Sequence, residues 1–161
     1  MHLTIFTTGG TIDKVYFDAK SDYEVGEPLI GETLQDAKVT FDFDVITLFQ
    51  KDSLDLTDAD RFVIVESVRE CEDRRIVITH GTDTMVETAR AIEEAETGKV
   101  VVLVGALNPA RFRSSDAIFN IGFAMAAVQT LDEGVYIAMN GHLFAPDHVR
   151  KNRVANQFEE V

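Results

Sequence analysis

One cysteine, Cys71, among 161 residues excludes an internal disulfide framework and makes a reducing cytoplasm the expected compartment. Its acidic neighbours Glu70, Glu72 and Asp73 oppose thiolate formation, so Cys71 reads as a bystander. Cations are scarce as well. Fifteen Lys and Arg against 28 Asp and Glu leave a net charge of −13, which argues against nucleic acid and anionic membranes as partners. The four histidines are scattered and no pair has zinc-like spacing, so neither a metal nor another cofactor is expected. No apolar run is long enough to cross a bilayer. The opening Met1–Phe6 enters a strand pattern without a basic n-region, so no secretory signal is expected. Internal repeats and low-complexity segments are missing too.

What remains is the composition of an ordinary globular chain, 45% hydrophobic and 27% charged, of a length that suits one domain over residues 1–161. Leu3–Thr8, Phe43–Phe49, Arg75–Thr79, Val100–Gly105 and Val135–Met139 read as strands. The unbroken run Val100–Val104 is what a parallel sheet covered on both faces requires. Between the strands lie helical patterns at Thr57–Arg69, Thr84–Ala95 and Ser115–Leu131, the first with a threonine N-cap and an acidic first turn. The alternation predicts a single three-layer α/β domain, a mostly parallel sheet with helices on both faces. Ligands of such sheets bind beyond the carboxyl ends of the strands. Residues 13–28 are too long and charged for an idle turn and read as a mobile active-site loop. The polar tail Asn152–Val161 reads as a short helix.

Two loops at strand ends hold the chemistry. The first strand runs into Thr7-Thr8-Gly9-Gly10-Thr11-Ile12, where two glycines permit a sharp turn and a close approach to a ligand. Thr11 would sit at the ligand edge with its hydroxyl exposed; a plain glycine turn with a capping threonine, or a weak phosphate loop, is the structural alternative. After Ile76–Thr79 comes His80-Gly81-Thr82-Asp83-Thr84-Met85, again a strand handing over to a helix N-terminus that favours negative charge. Thr82, Asp83 and Thr84 are also capable caps, and His80 reads as a packed structural residue. A threonine nucleophile needs a base. Tyr23 in the loop Ser21–Gly26 can take a proton if its phenol is polarised, and Lys151 can serve Thr82 if Asp83 holds it and burial neutralises it.

Together, TTGGTI near the amino terminus and HGTDTM after a later strand resemble the bacterial-type asparaginase and glutaminase family, and specifically its N-terminal, Rossmann- or flavodoxin-like domain. The likeness continues through SDYEVG, VVLVGALNPARFRSSDAIFN and AMNGHLFAPDHVRK. It implies hydrolysis of a small amide to the acid and ammonia. Thr11 matches the primary nucleophile that forms an acyl-enzyme, and Tyr23 the flexible-loop tyrosine that interacts with it. Thr82, Asp83 and Lys151 match the second threonine and its aspartate–lysine support. Gly10, Gly81 and Ala106 match backbone positions lining the substrate pocket, and Ser53 the serine that binds the substrate's α-carboxylate.

Two departures shape the expectation. Leu54 stands where many relatives have a glutamine or another polar residue, and it offers no hydrogen bond. The 161 residues end soon after Lys151, where family members continue into a second domain. A neighbouring subunit's copy of that domain contacts the substrate's α-amino group. Asp83 is then the obvious partner for that cation, with Glu24, Glu27, Glu159 or Glu160 as substitutes for the second. The leading expectation is an asparaginase-like amidohydrolase acting on asparagine or a related amide, assembled as a homo-oligomer, with a homodimer favoured. The alternative is a non-catalytic or weakly active domain that binds an acidic amino acid or similar carboxylate. A nucleotide-binding module is a weak third, since neither GxGxxG nor a Walker lysine follows the first glycines.

Overall fold

A computed structural model of the chain describes residues 1–161. In chain order the elements are β1 (His2–Gly9), β2 (Lys14–Phe17), β3 (Asp22–Val25), α1 (Ile30–Asp36), β4 (Asp42–Lys51), α2 (Asp58–Glu70), β5 (Arg75–Thr79), α3 (Met85–Glu94), β6 (Val100–Val104), α4 (Ala117–Thr130), β7 (Gly134–Met139), β8 (His142–Phe144), β9 (Val149–Asn152) and β10 (Gln157–Glu160). Six strands form the main sheet in the order β4-β1-β5-β6-β7-β8. All neighbours are parallel except the antiparallel edge pair β7–β8.

Period-two alternation divides the core between two faces. Leu3 and Ile5 of β1, Val77 of β5 and Val100, Val102 and Val104 of β6 meet α1 and α4 on one side. Phe6, Ile76, Ile78, Val101 and Leu103 meet α2 and α3 on the other. This is the three-layer arrangement expected of strands with no polar face. α2 begins where the capping box of Thr57 and Asp60 closes its first turn, with both reciprocal bonds made. No helix is long and apolar enough to cross a membrane.

Register fixes where the loops emerge. Thr7 pairs with Thr79, Thr79 with Val104, and Val104 with Ala138, so the carboxyl ends of β1, β5 and β6 lie in one row. Sheet order reverses between β1 and β5, the switch point at which open α/β sheets leave a crevice.

Three segments differ from the sequence reading. Residues 14–25 form the antiparallel hairpin β2–β3 rather than an irregular loop. Short α1 was not legible, and it exists because Ile30 and Leu34 reach the core one turn apart. The tail is the hairpin β9–β10, not a helix. Asn152 Oδ1 accepts from the backbone N–H groups of Val154 and Ala155, and Asn156 takes a φ of 49°, so the chain reverses there. The buried Phe158 then anchors the return strand, and its N–H donates to Asn140 Oδ1.

Asp13 closes the neck of the β2–β3 hairpin. Its carbonyl accepts from Gly26 N–H at 2.8 Å, and its Oδ1 from Leu29 N–H at 3.2 Å. Its Oδ2 is buried without a partner. Burial pushes the carboxyl up to about 6, against the opposing pull of the Leu29 N–H and the Arg111 charge. A carboxyl raised in the folded state destabilises the fold increasingly as pH climbs from the unfolded value of 3.8 through about 6, by at most about 3 kcal/mol. Asp13→Asn keeps the acceptor for Leu29 and removes the charge. Thermal unfolding should show a higher Tm for the variant at pH 8 and only about a third of that gain at pH 4.5. An equal shift at both pH values would contradict this assignment.

Candidate active site

The first two loops touch through positions that cannot carry a side chain. Gly10, at φ 93°, lies so near Gly81 that an added Cβ would stand 2.4 Å from the Gly81 Cα. A Cβ on Gly81 would in turn fall 2.6 Å from Ser53 Oγ. Three strand ends are thereby pressed together: the turn after β1, the loop after β5 and the one-turn 3₁₀ helix Ser53–Asp55 after β4. A third loop joins them, since a Cβ on Gly105 would meet His80 O at 2.4 Å and Thr82 Cγ2 at 3.3 Å. The fully buried Ala106 follows it.

His80 braces this contact from below. It is fully buried; its ring bonds Gly81 O at 2.7 Å through Nδ1 and the Thr88 hydroxyl at 2.9 Å through Nε2. Because a carbonyl only accepts, Nδ1 carries the proton and Nε2 accepts from Thr88. Burial pushes the imidazole down to about 4, with the Gly81 bond opposing and the Arg61 charge assisting. A neutral ring with both nitrogens occupied is a strut, not a proton carrier.

Above the strut lies a chain of polar side chains. Lys151 Nζ, on β9, donates to Thr82 Oγ1 at 2.7 Å and to Asp83 Oδ1 at 2.9 Å. Arg153 approaches the same carboxylate at 3.8 Å. Asp83 N–H donates to Ser53 Oγ at 3.3 Å, and the Thr84 hydroxyl donates to Ser53 O at 2.8 Å. Thr84 occupies the N-cap of α3 but makes no side-chain cap bond, so its hydroxyl serves the serine turn instead. Asp83 and Lys151 are mostly buried, and their pair depends on the C-terminal hairpin that the sequence reading took for a helix.

Thr11 opens a 3₁₀ turn, half-buried directly after the Gly10–Gly81 contact, and its hydroxyl enters no protein hydrogen bond. Its turn is tied to the third loop through Ala110 N–H to Ile12 O at 3.0 Å. Tyr23, on β3, is exposed and makes ring contacts rather than phenol hydrogen bonds. It lines a cleft of about 410 Å³ with Lys14, Glu24, Asp52 and Asp55 between the hairpin and the serine turn. The structure therefore joins Gly10, Gly81, Ser53, Thr82, Asp83 and Lys151 in one contact network, with Thr11 and Ala106 adjoining it. Tyr23 stands at its rim.

Sequence reasoning missed two features of the site. Lys14 Nζ bonds Asp52 Oδ2 at 2.7 Å and so fastens the hairpin to the serine turn. Burial alone would push the Asp52 carboxyl up, but Lys14 and the Leu54 N–H outweigh it and hold it below the ordinary value. Asp116 is the second. It accepts from Leu107 and Asn108 N–H at 3.0 Å and from Asn120 Nδ2 at 2.8 Å, which organises the third loop. A serine-rich stretch ending in aspartate before a helix was the available signal. Of the acidic residues considered for a substrate ammonium, Glu24 is paired with Lys20, and Glu159 with Arg150 and Asn152.

Comparison with known proteins shows the family. The family model described as asparaginase, N-terminal, matches residues 2–159. A probable periplasmic L-asparaginase of Haemophilus influenzae is 31% identical over 160 residues, covering 93% of this chain and 46% of that protein. L-asparaginase 2 of Escherichia coli is 33% identical over 152 residues, covering 86% and 43%. The solved thermostable L-asparaginase from Thermococcus kodakarensis superposes with a TM-score of 0.85 at 25% identity, over 100% of this chain and 51% of that one. The chain thus spans about half the length of the relatives it matches. On these grounds the chain belongs to the asparaginase family and corresponds to its N-terminal domain.

Proposed function

We propose that this chain is an amidohydrolase that converts asparagine or a related small amide to the acid and ammonia, with Thr11 as the nucleophile. The observation that carries the reading is the Asp83–Lys151–Thr82 chain, with its 2.7 Å and 2.9 Å bonds, seated against the Gly10 turn that ends in Thr11. Thr11 Oγ attacks the amide carbonyl, its proton passes to the leaving nitrogen, and ammonia departs from the tetrahedral intermediate to leave an ester on Thr11. Water then attacks that ester and returns the acid and the free hydroxyl. Lys151, oriented by Asp83 and acting as the neutral amine, draws the proton of Thr82 or of the attacking water, and Tyr23 serves the Thr11 hydroxyl from the hairpin.

Binding falls to the groups around them. Ser53 Oγ accepts from Asp83 N–H, so its own proton is free for a substrate carboxylate. Gly10 and Gly81 bring backbone to the substrate without side chains in the way, and Ala106 adds only a methyl group. Asp83, whose Oδ1 already faces Lys151 and Arg153, offers its Oδ2 to an ammonium. We place the protein in the cytoplasm, consistent with its single cysteine. We also read it as a homodimer. α4 contains no charged residue and exposes Ile118 and Phe119 by about two-thirds, at 68% and 64%. An anionic chain can meet a second copy most easily on a face that carries no charge.

Thr11→Ala should lower ammonia release from asparagine by about 10³-fold or more at unchanged Tm. Lys151→Met should lower kcat by about 10²- to 10⁴-fold. Wild-type protein that releases no ammonia, yet is stabilised by aspartate, would replace this reading with that of a carboxylate-binding domain. For assembly, light scattering should give a dimer for the wild type and a monomer for Phe119→Glu. A monomeric wild type would overturn the dimer.

A further inference from the structure

We infer that Phe112 is a positioning residue, a fixed aromatic clasp that docks the β2–β3 hairpin and so sets where Tyr23 stands. The loop that bears it is rigid. Asp116 gathers the N–H groups of Leu107 and Asn108, and the buried Asn120 bonds both Asp116 and Gly105 O. Ser115 Oγ donates to Asn108 O at 2.8 Å, and Phe112 N–H to Pro109 O at 2.9 Å. A backbone held at that many points can fix a half-exposed side chain.

The hairpin is held differently at its two ends. At the neck, Asp13 binds Gly26 and Leu29, and Lys14 pairs with Asp52. Toward the turn these polar attachments stop, and Tyr16, Phe17 and Tyr23 are 52%, 44% and 44% exposed. Tyr16 and Tyr23 are direct cross-strand partners, with ring centroids 5.3 Å apart at 65°. Tyr23 in turn meets Phe112 edge to face, at 5.8 Å and 64°. The ring of Phe112 therefore supplies the aromatic contact between the outer half of the hairpin and the rest of the domain. Edge-to-face pairs of this kind shift a local opening equilibrium by about three- to tenfold.

The placement of Tyr23 matters for catalysis only on the amidohydrolase reading above, so the primary measurement is independent of turnover. Hydrogen–deuterium exchange on the full chain should show residues 14–25 exchanging about three- to tenfold faster in Phe112→Ala, with β5 and β6 unchanged. Phe112→Tyr, which keeps a ring edge for Tyr23, should restore the wild-type rate, whereas Phe112→Leu should not. Unchanged exchange in Phe112→Ala, restoration by Leu as complete as by Tyr, or equal acceleration in the core strands would each overturn the clasp. Kinetics on the same variants separate the two proposals. Faster hairpin exchange in Phe112→Ala, beside a wild type without turnover, would sink the amidohydrolase and keep the clasp. Unaltered exchange beside a normal wild-type kcat would do the reverse.

Discussion

The contact of two glycines governs this site. Gly10 and Gly81 approach until a single Cβ would lie 2.4 Å from backbone, and Gly81 leaves no more room beside Ser53. A side chain at either glycine would force apart the turn after β1, the loop after β5 and the turn after β4. The sheet makes the approach possible. Its parallel register puts the ends of β1, β5 and β6 in one row, and its order reverses between the first two. Buried His80 then fixes the Gly81 peptide through a neutral imidazole, so the contact does not depend on pH near neutrality.

Charge is handled locally in a chain that carries −13 overall. Lys151 faces Asp83, and Lys14 faces Asp52, so each of these two lysines has a carboxylate within 3 Å. The two pairs have different consequences. Lys14–Asp52 ties the hairpin to the serine turn and is structural. Lys151–Asp83 also bonds the Thr82 hydroxyl, and it is the pair that chemistry can use.

Much of this was legible in the sequence, and the reasons differ by element. The run Val100–Val104 could only be a strand buried on both faces, and Thr57 with Asp60 announced the start of α2. The two threonine-rich loops were visible because each follows an apolar strand and precedes a turn or a helix. The hairpin was hidden because Lys14–Phe17 and Asp22–Val25 are four-residue strands with no fully buried side chain, and their turn uses Ser21 at φ 52° in place of the glycine that usually marks such a reversal. The tail misled for a similar reason, since the reversal rests on Asn152 and Asn156 and the single buried Phe158. Phe112 gave no signal at all, lying between two arginines in a stretch that reads as plain surface.

The approach of Gly10 to Gly81 should make one ligand site of the Thr11 and Thr82 loops. A crystal structure of the protein soaked with aspartate measures this directly. Density for a single aspartate within hydrogen-bonding distance of both Thr11 Oγ and Thr82 Oγ, with a carboxylate on Ser53, is the expected result. Aspartate bound to one loop alone, or the two hydroxyls directed into separate cavities, would contradict it.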